Sequence, residues 1–176
     1  MTMWVFGYGS LLWNPGFDVA YSAVATLDGY ARSFCMRSIH HRGTESDPGL
    51  VLALDETLGA CCEGLALAVA DGHEARTLDM LRERELISSA YLEKQLDVTL
   101  ESGTLVNAVT YVIDADHAQY CGGLELETQA QIIARAEGQR GPNTEYLLNT
   151  TAHLAEIGLH DPDLEWLSTR VRSIVA

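Results

Sequence analysis

"MWVFGYGSLLW", residues 3–13, is the stretch on which the fold turns. The apolar run before Gly7 reads as a strand, and the two glycines stop it. If the loop opened a helix leading to a second parallel strand, "GYGSLL" would be the phosphate loop of a doubly wound, dinucleotide-binding sheet. It lacks the third glycine of GxGxxG, however, and no clean strand–helix–strand unit follows. The loop is then either a glycine-permitted turn between buried segments or a place where a ligand touches backbone.

Working outward, strand patterns cover Met3–Tyr8, Gly29–Met36, Leu50–Leu54, Glu63–Val69, Lys94–Leu100 and Leu105–Ile113. The last two face each other across "ESGT", where Gly103 suits a hairpin turn. Helical patterns occupy residues 73–91, "HEARTLDMLRERELISSAY", and 125–138, "ELETQAQIIARAEG", the second closed by Gly138 as a C-cap. Residues 143–158 read as a helix with Asn143 as N-cap and Gly158 as its stop. Residues 161–175 have Asp161 as N-cap, Pro162 at the first helical position, and a docking stripe of Leu164, Leu167, Val171 and Ile174. With no repeat or linker in view, the expectation is one α+β domain over residues 1–176.

A chain of 176 residues, 47% apolar and 20% charged, is long enough for one core and short for two. Its net charge of −14 argues against nucleic acid or an anionic membrane as partner, since phosphates need clustered Lys and Arg. An anionic small molecule would need a local basic pocket. No leader pattern opens the chain, and no apolar segment approaches membrane-spanning length. Cys35, Cys61, Cys62 and Cys121 form neither a CxxC pair nor a zinc spacing, so they read as reduced thiols of a cytoplasmic protein.

The helix over 73–91 holds two neighbouring carboxylates that its geometry separates. Glu85 lies one turn beyond Leu81 and two beyond Leu78, inside their apolar stripe. Glu83 points roughly 140° away from Leu78, toward solvent. A carboxylate on a core-facing stripe is costly unless it is paired, protonated or lining a cavity. Two readings stand. Either Glu85 is structural, paired with Arg82 or left wet by an early helix end, or burial raises its pKa and makes it a general base.

Four stretches in order carry a resemblance: "VFGYGSLLW" (5–13), "HHRGTESDPG" (40–49), "LRERELISSAY" (81–91) and "GPNTEYL" (141–147). Together they resemble the motifs of the ChaC-type γ-glutamylcyclotransferases over essentially the whole chain. The resemblance implies a compact mixed β-barrel with helices packed around it. It implies an enzyme that converts glutathione to 5-oxoproline and cysteinylglycine. By motif, it implies a substrate-binding loop of Gly7, Tyr8, Gly9, Ser10 and Leu11, a catalytic glutamate at Glu85 after Arg84, and a substrate-binding Tyr146. Two positions depart from the family pattern. Ser89, Ala90 and Tyr91 stand where many members have Gly-Gly-Tyr, and Leu50 stands where members often place arginine after Pro-Gly. Both bear on substrate preference. The alternatives are therefore another γ-glutamyl amine or amino acid as donor, or an inactive γ-glutamyl-binding protein of the same fold.

The implied reaction suits such residues. The α-amine of a γ-glutamyl group attacks its own γ-carbonyl, so nucleophile and electrophile are already tethered and no metal or organic cofactor is required. One carboxylate with a raised pKa can take the proton from the amine and return it to the departing nitrogen. Backbone N–H groups of a glycine loop can hold the developing oxyanion, with Tyr8 and Ser10 side chains secondary. His40 and His41 are adjacent and make a poor metal pair. Arg37, Arg42 and Arg140 are open to either a substrate carboxylate or solvated pairing. Trp4, Trp13 and Trp166 read as core or helix-docking residues, and Tyr91 as packing.

Overall fold

A computed structural model describes residues 1–86 and 89–176. Ile87 and Ser88, inside the stretch expected to be helical over 73–91, lie outside the described residues. The strands are β1 (Trp4–Gly7), β2 (Val19–Ser38), β3 (Gly49–Val69), β4 (Tyr91–Leu100) and β5 (Leu105–Ile113). They close into a barrel in the order β1-β3-β2-β4-β5. Neighbours whose register is described run antiparallel, except that β1 meets β5 in parallel, Trp4 beside Ala108, which makes the barrel mixed. The two short strand patterns expected at Leu50–Leu54 and Glu63–Val69 are the ends of one strand, β3. Polar residues between them, such as Asp55, Glu56 and Thr57, hid its continuity.

The chain divides into two compact units, one of Met1–Arg32 with Leu54–Ala118 and one of Ser33–Ala53 with Gln119–Ala176. In the first, strand alternation sorts side chains onto two faces. Phe6, Ala25, Leu27, Leu54, Ala66, Val98, Ala108 and Val112 come from all five strands and fill one core cluster. Val5, Leu67, Val109 and Tyr111, each one residue from a member of that cluster, form a second one with Leu11 and Leu81. Leu81 belongs to α1 (Glu74–Glu85), so this second face lies under the helix. Helix α1 stops at Glu85, short of the expected Tyr91, which instead opens β4.

The second unit holds α2 (Leu126–Arg135), α3 (Asn143–Ile157) and α4 (Pro162–Val175), which pack on one another. Asp161 caps α4 through the N–H groups of Asp163 and Leu164, and Gly158 ends α3 with φ +86°, both as expected. Two expected caps are corrected. Pro142 is the N-cap of α3, and Asn143 instead turns its side chain to β3. Gly138 lies beyond the end of α2 in a two-residue strand, Glu137–Gly138, paired with Gly141–Pro142. It is glycine for proximity: a Cβ there would lie 2.5 Å from Gly43 N. Trp166, expected to dock, is 44% exposed, while Leu164, Leu167 and Val171 beside it are buried.

Candidate active site

β1 delivers the chain into the glycine loop, which tightens at once into a 3-10 turn over Ser10–Leu12. Leu12 N–H donates to Gly9 O at 2.9 Å and Asn14 N–H to Ser10 O at 2.8 Å, and burial of Leu11 and Leu12 pins the turn. The two glycines serve different ends. A Cβ on Gly7 would lie 3.2 Å from Leu11 Cβ, a tight fit, and one on Gly64 would lie 2.2 Å from Gly7 O, where close approach excludes a side chain. A Cβ on Gly9 would meet no atom of the described residues within 4 Å. Gly7 is therefore a packing glycine, whereas Gly9, itself buried, has open space only in the direction a side chain would take.

Two arginines brace the loop from within the same unit. Arg32 of β2 donates from Nε to Tyr8 O at 2.8 Å and from Nη2 to Glu63 O. Arg84 of α1 donates from Nη2 to Ser10 Oγ at 2.8 Å and from Nη1 to Asn14 O at 2.7 Å and Pro15 O at 3.4 Å. Ser10 Oγ thus accepts from the protein itself.

Glu85 is the last residue of α1, with its side chain 18% exposed, and Glu83 is exposed, as helical spacing predicted. Burial pushes the Glu85 carboxyl above its usual range, partly opposed by the Arg84 guanidinium. Arg84 Nε lies 3.6 Å from Glu85 Oε1. Arg82 does not pair with it. Its Nε and Nη2 donate to Glu93 Oε1 and Oε2 of β4, each at 3.0 Å. The Tyr111 hydroxyl donates to Glu93 Oε1 at 2.8 Å. Burial pushes the Tyr111 phenol upward, and its bond to Glu93 and the charges of Glu93 and Glu85 add to that. Arg82, aided by Tyr111, holds Glu93 below the usual carboxylate range against the effect of burial. Glu85 is left as the carboxyl on which burial outweighs its ion pair, the one with Arg84.

Sequence reasoning missed Arg32, Glu93 and Tyr111. Alternation along β5 does put Tyr111 on the same face as Val109, beneath α1, but nothing local links Arg82 to Glu93 eleven residues on.

In the second unit, the Tyr146 hydroxyl accepts from Leu52 N–H at 3.1 Å, and its ring meets Phe34 edge-on at 6.0 Å. The Arg42 guanidinium sits 5.7 Å from the Tyr146 ring centre, donates to Pro142 O at 3.2 Å and lies 3.9 Å from Glu145. His40 and Arg140 are exposed, and burial first, then the charge of Arg140, pushes the His41 imidazole below its usual range. Leu50, where arginine is often found, is a buried residue whose N–H and C=O are both bonded to Asn143. The structure thus brings Gly7–Leu11 and Glu85 together in one unit and gives Tyr146 partners of its own in the other. Among the described residues no three His, Cys, Asp or Glu side chains group as a metal site.

A family model described as ChaC-like protein matches residues 3–174. A protein of Escherichia coli (strain K12) named glutathione-specific gamma-glutamylcyclotransferase is 35% identical over 174 residues, which are 99% of this chain and 74% of that one. Gamma-glutamylcyclotransferase 2-3 of Arabidopsis thaliana is 32% identical over 182 residues, covering 100% of this chain and 92% of its own length. The solved structure of a yeast γ-glutamylcyclotransferase specific to glutathione aligns over 100% of both chains with a TM-score of 0.83 at 22% identity, and so shares this fold.

Proposed function

The chain belongs to the ChaC-like protein family, and from that premise we propose that it is a γ-glutamylcyclotransferase acting on glutathione, with Glu85 as the proton-transferring group. The names of its relatives support the substrate, and the buried, weakly paired carboxyl of Glu85 supports the mechanism. The α-ammonium of the γ-glutamyl group, with a pKa of about 8, must lose a proton before it attacks. Glu85 takes that proton, the amine closes on the γ-carbonyl carbon, and a five-membered tetrahedral intermediate forms. Its C–N bond to cysteine then breaks as Glu85 returns that proton to the departing nitrogen, and Glu85 relays the second proton that the ring nitrogen must lose to the same amine, leaving a neutral lactam and an ammonium. The products are 5-oxoproline and cysteinylglycine, with no net proton and no co-reactant. Tethering and orientation together can supply roughly 7–11 kcal/mol of the barrier.

In this reading the backbone of Gly7–Leu11 holds the γ-glutamyl group, because 3-10 geometry does not use the N–H groups of Ser10 and Leu11 within the turn. Tyr146 enters by its motif position. The proposal also takes residues 1–176 as one domain, supported by a family match over 3–174, and a cytoplasmic location, where glutathione is kept reduced.

The test is incubation of the purified protein with glutathione and, in parallel, other γ-glutamyl amines and amino acids. Release of 5-oxoproline from glutathione, lost by at least about a hundredfold in Glu85→Gln and retained in Glu83→Gln, is the expected result. Full activity in Glu85→Gln sinks the mechanism, and turnover confined to another donor sinks the substrate.

A further inference from the structure

Three nitrogens of one guanidinium reach three different parts of the proposed site. Nη2 of Arg84 holds Ser10 Oγ, Nη1 holds the carbonyls of Asn14 and Pro15, and Nε faces Glu85 Oε1. A guanidinium is planar and stiff, so a displacement at one nitrogen is passed to the others. Arg32 braces the same loop at Tyr8 O, yet only the Arg84 charge is felt at Glu85. Resting on the cyclotransferase reading, we infer that Arg84 is a positioning residue, locking the Gly7–Leu11 loop and the Glu85 carboxylate into one frame so that both meet a single substrate in fixed geometry.

Two properties follow from the one side chain, and substitutions separate them. The charge favours ionised Glu85, and the fork fixes the loop. The groups facing Glu85 are Arg84 on its own helix and Tyr111 of β5, the latter tied to Glu93 of β4 and through it to Arg82. The Tyr111 phenol is pushed upward and Glu93 downward, so Glu85 is the member of this group whose shift runs from the carboxylate range toward neutral pH, and about pH 5 to 9 is the range over which kinetics follow it.

Steady-state kinetics on glutathione across that range, with wild type, Arg84→Met, Arg84→Lys, Ser10→Ala and Arg32→Met, test the inference. In Arg84→Met the acid limb of kcat/KM moves to higher pH and kcat/KM falls about a hundredfold. Arg84→Lys restores the acid limb but not the fork, so KM stays raised by roughly tenfold. Ser10→Ala and Arg32→Met raise KM and leave the limb in place. A residue that merely stabilised the fold would change none of these pH profiles. A 13C NMR titration of the Glu85 carboxyl needs no turnover and gives the second readout, moving to higher pH in Arg84→Met. If the wild type releases no 5-oxoproline, the functional reading fails and the NMR titration still decides the frame. If the wild type is active while Arg84→Met keeps its KM, acid limb and carboxyl titration, the inference is overturned. Should Arg84→Met not fold, an unchanged KM in both Arg84→Lys and Ser10→Ala overturns it.

Discussion

Glu85 ends α1 with its carboxyl largely buried. Its carboxyl has a higher pKa in the folded protein than the value near 4.3 expected for an unfolded chain. The stabilisation from its protonated form is fully present below the unfolded pKa and is lost as pH rises through the folded one. Above that folded pKa the protein holds an ionised, largely buried group that a neutral isostere would relieve. Glu85→Gln is expected to raise the thermal midpoint at pH 7, with the gain closing below about pH 4, by calorimetry at the two pH values. A midpoint lowered at pH 7 would contradict the burial argument. Helical spacing alone distinguished Glu85 from Glu83, because 100° per residue puts only one on the stripe of Leu78 and Leu81. It could not choose the partner. Arg82 and Arg84 are both near in sequence, and a glutamate on β4 claims the first.

At the scale of elements, the junction after α1 and the start of α3 carry the informative departures. Ser89 sits at φ +55°, a left-handed conformation that costs a non-glycine residue about 1–2 kcal/mol. A glycine here would avoid that cost, offset in part by glycine's greater freedom when unfolded. Ser89→Gly is expected to stabilise by about 0.5–1 kcal/mol, a rise in Tm of about 1–4 °C. Asn143 acts between elements, its fully buried amide accepting from Leu50 N–H at 2.8 Å and donating to Leu50 O at 2.9 Å. Asn143→Ala strands both buried backbone groups and is expected to cost about 2–4 kcal/mol in denaturant titration. A loss below about 1 kcal/mol would show that water replaces the amide there. The sequence marked Asn143 as a cap because an Asn before an apolar-periodic run is what caps look like. Only β3, far away in sequence, makes it a bridge.

For the whole molecule, the closed barrel determines which strands lie side by side. β1 pairs with β3 and with β5, partners about sixty and about one hundred residues away in sequence. The chain passes between its two units three times, inside β2, inside β3 and in the stretch between β5 and α2. The single-domain proposal accordingly predicts one unfolding transition, coincident by far-ultraviolet circular dichroism and tryptophan fluorescence; two separated transitions would refute it. By itself the sequence determined the elements whose signals are local: the β4–β5 hairpin at Gly103, the Asp161 cap, the Gly158 stop and the stripe that buries part of Glu85. Those follow from side-chain period and backbone dihedrals, which a short window contains. The tertiary structure alone decided the rest: β3 as one strand, the glycine contact of Gly138 with Gly43, the Arg82–Glu93–Tyr111 cluster, and Arg84 across the loop and Glu85. Each depends on residues distant in sequence, which meet only when the strands close and long side chains find the groups that pairing has placed beside them.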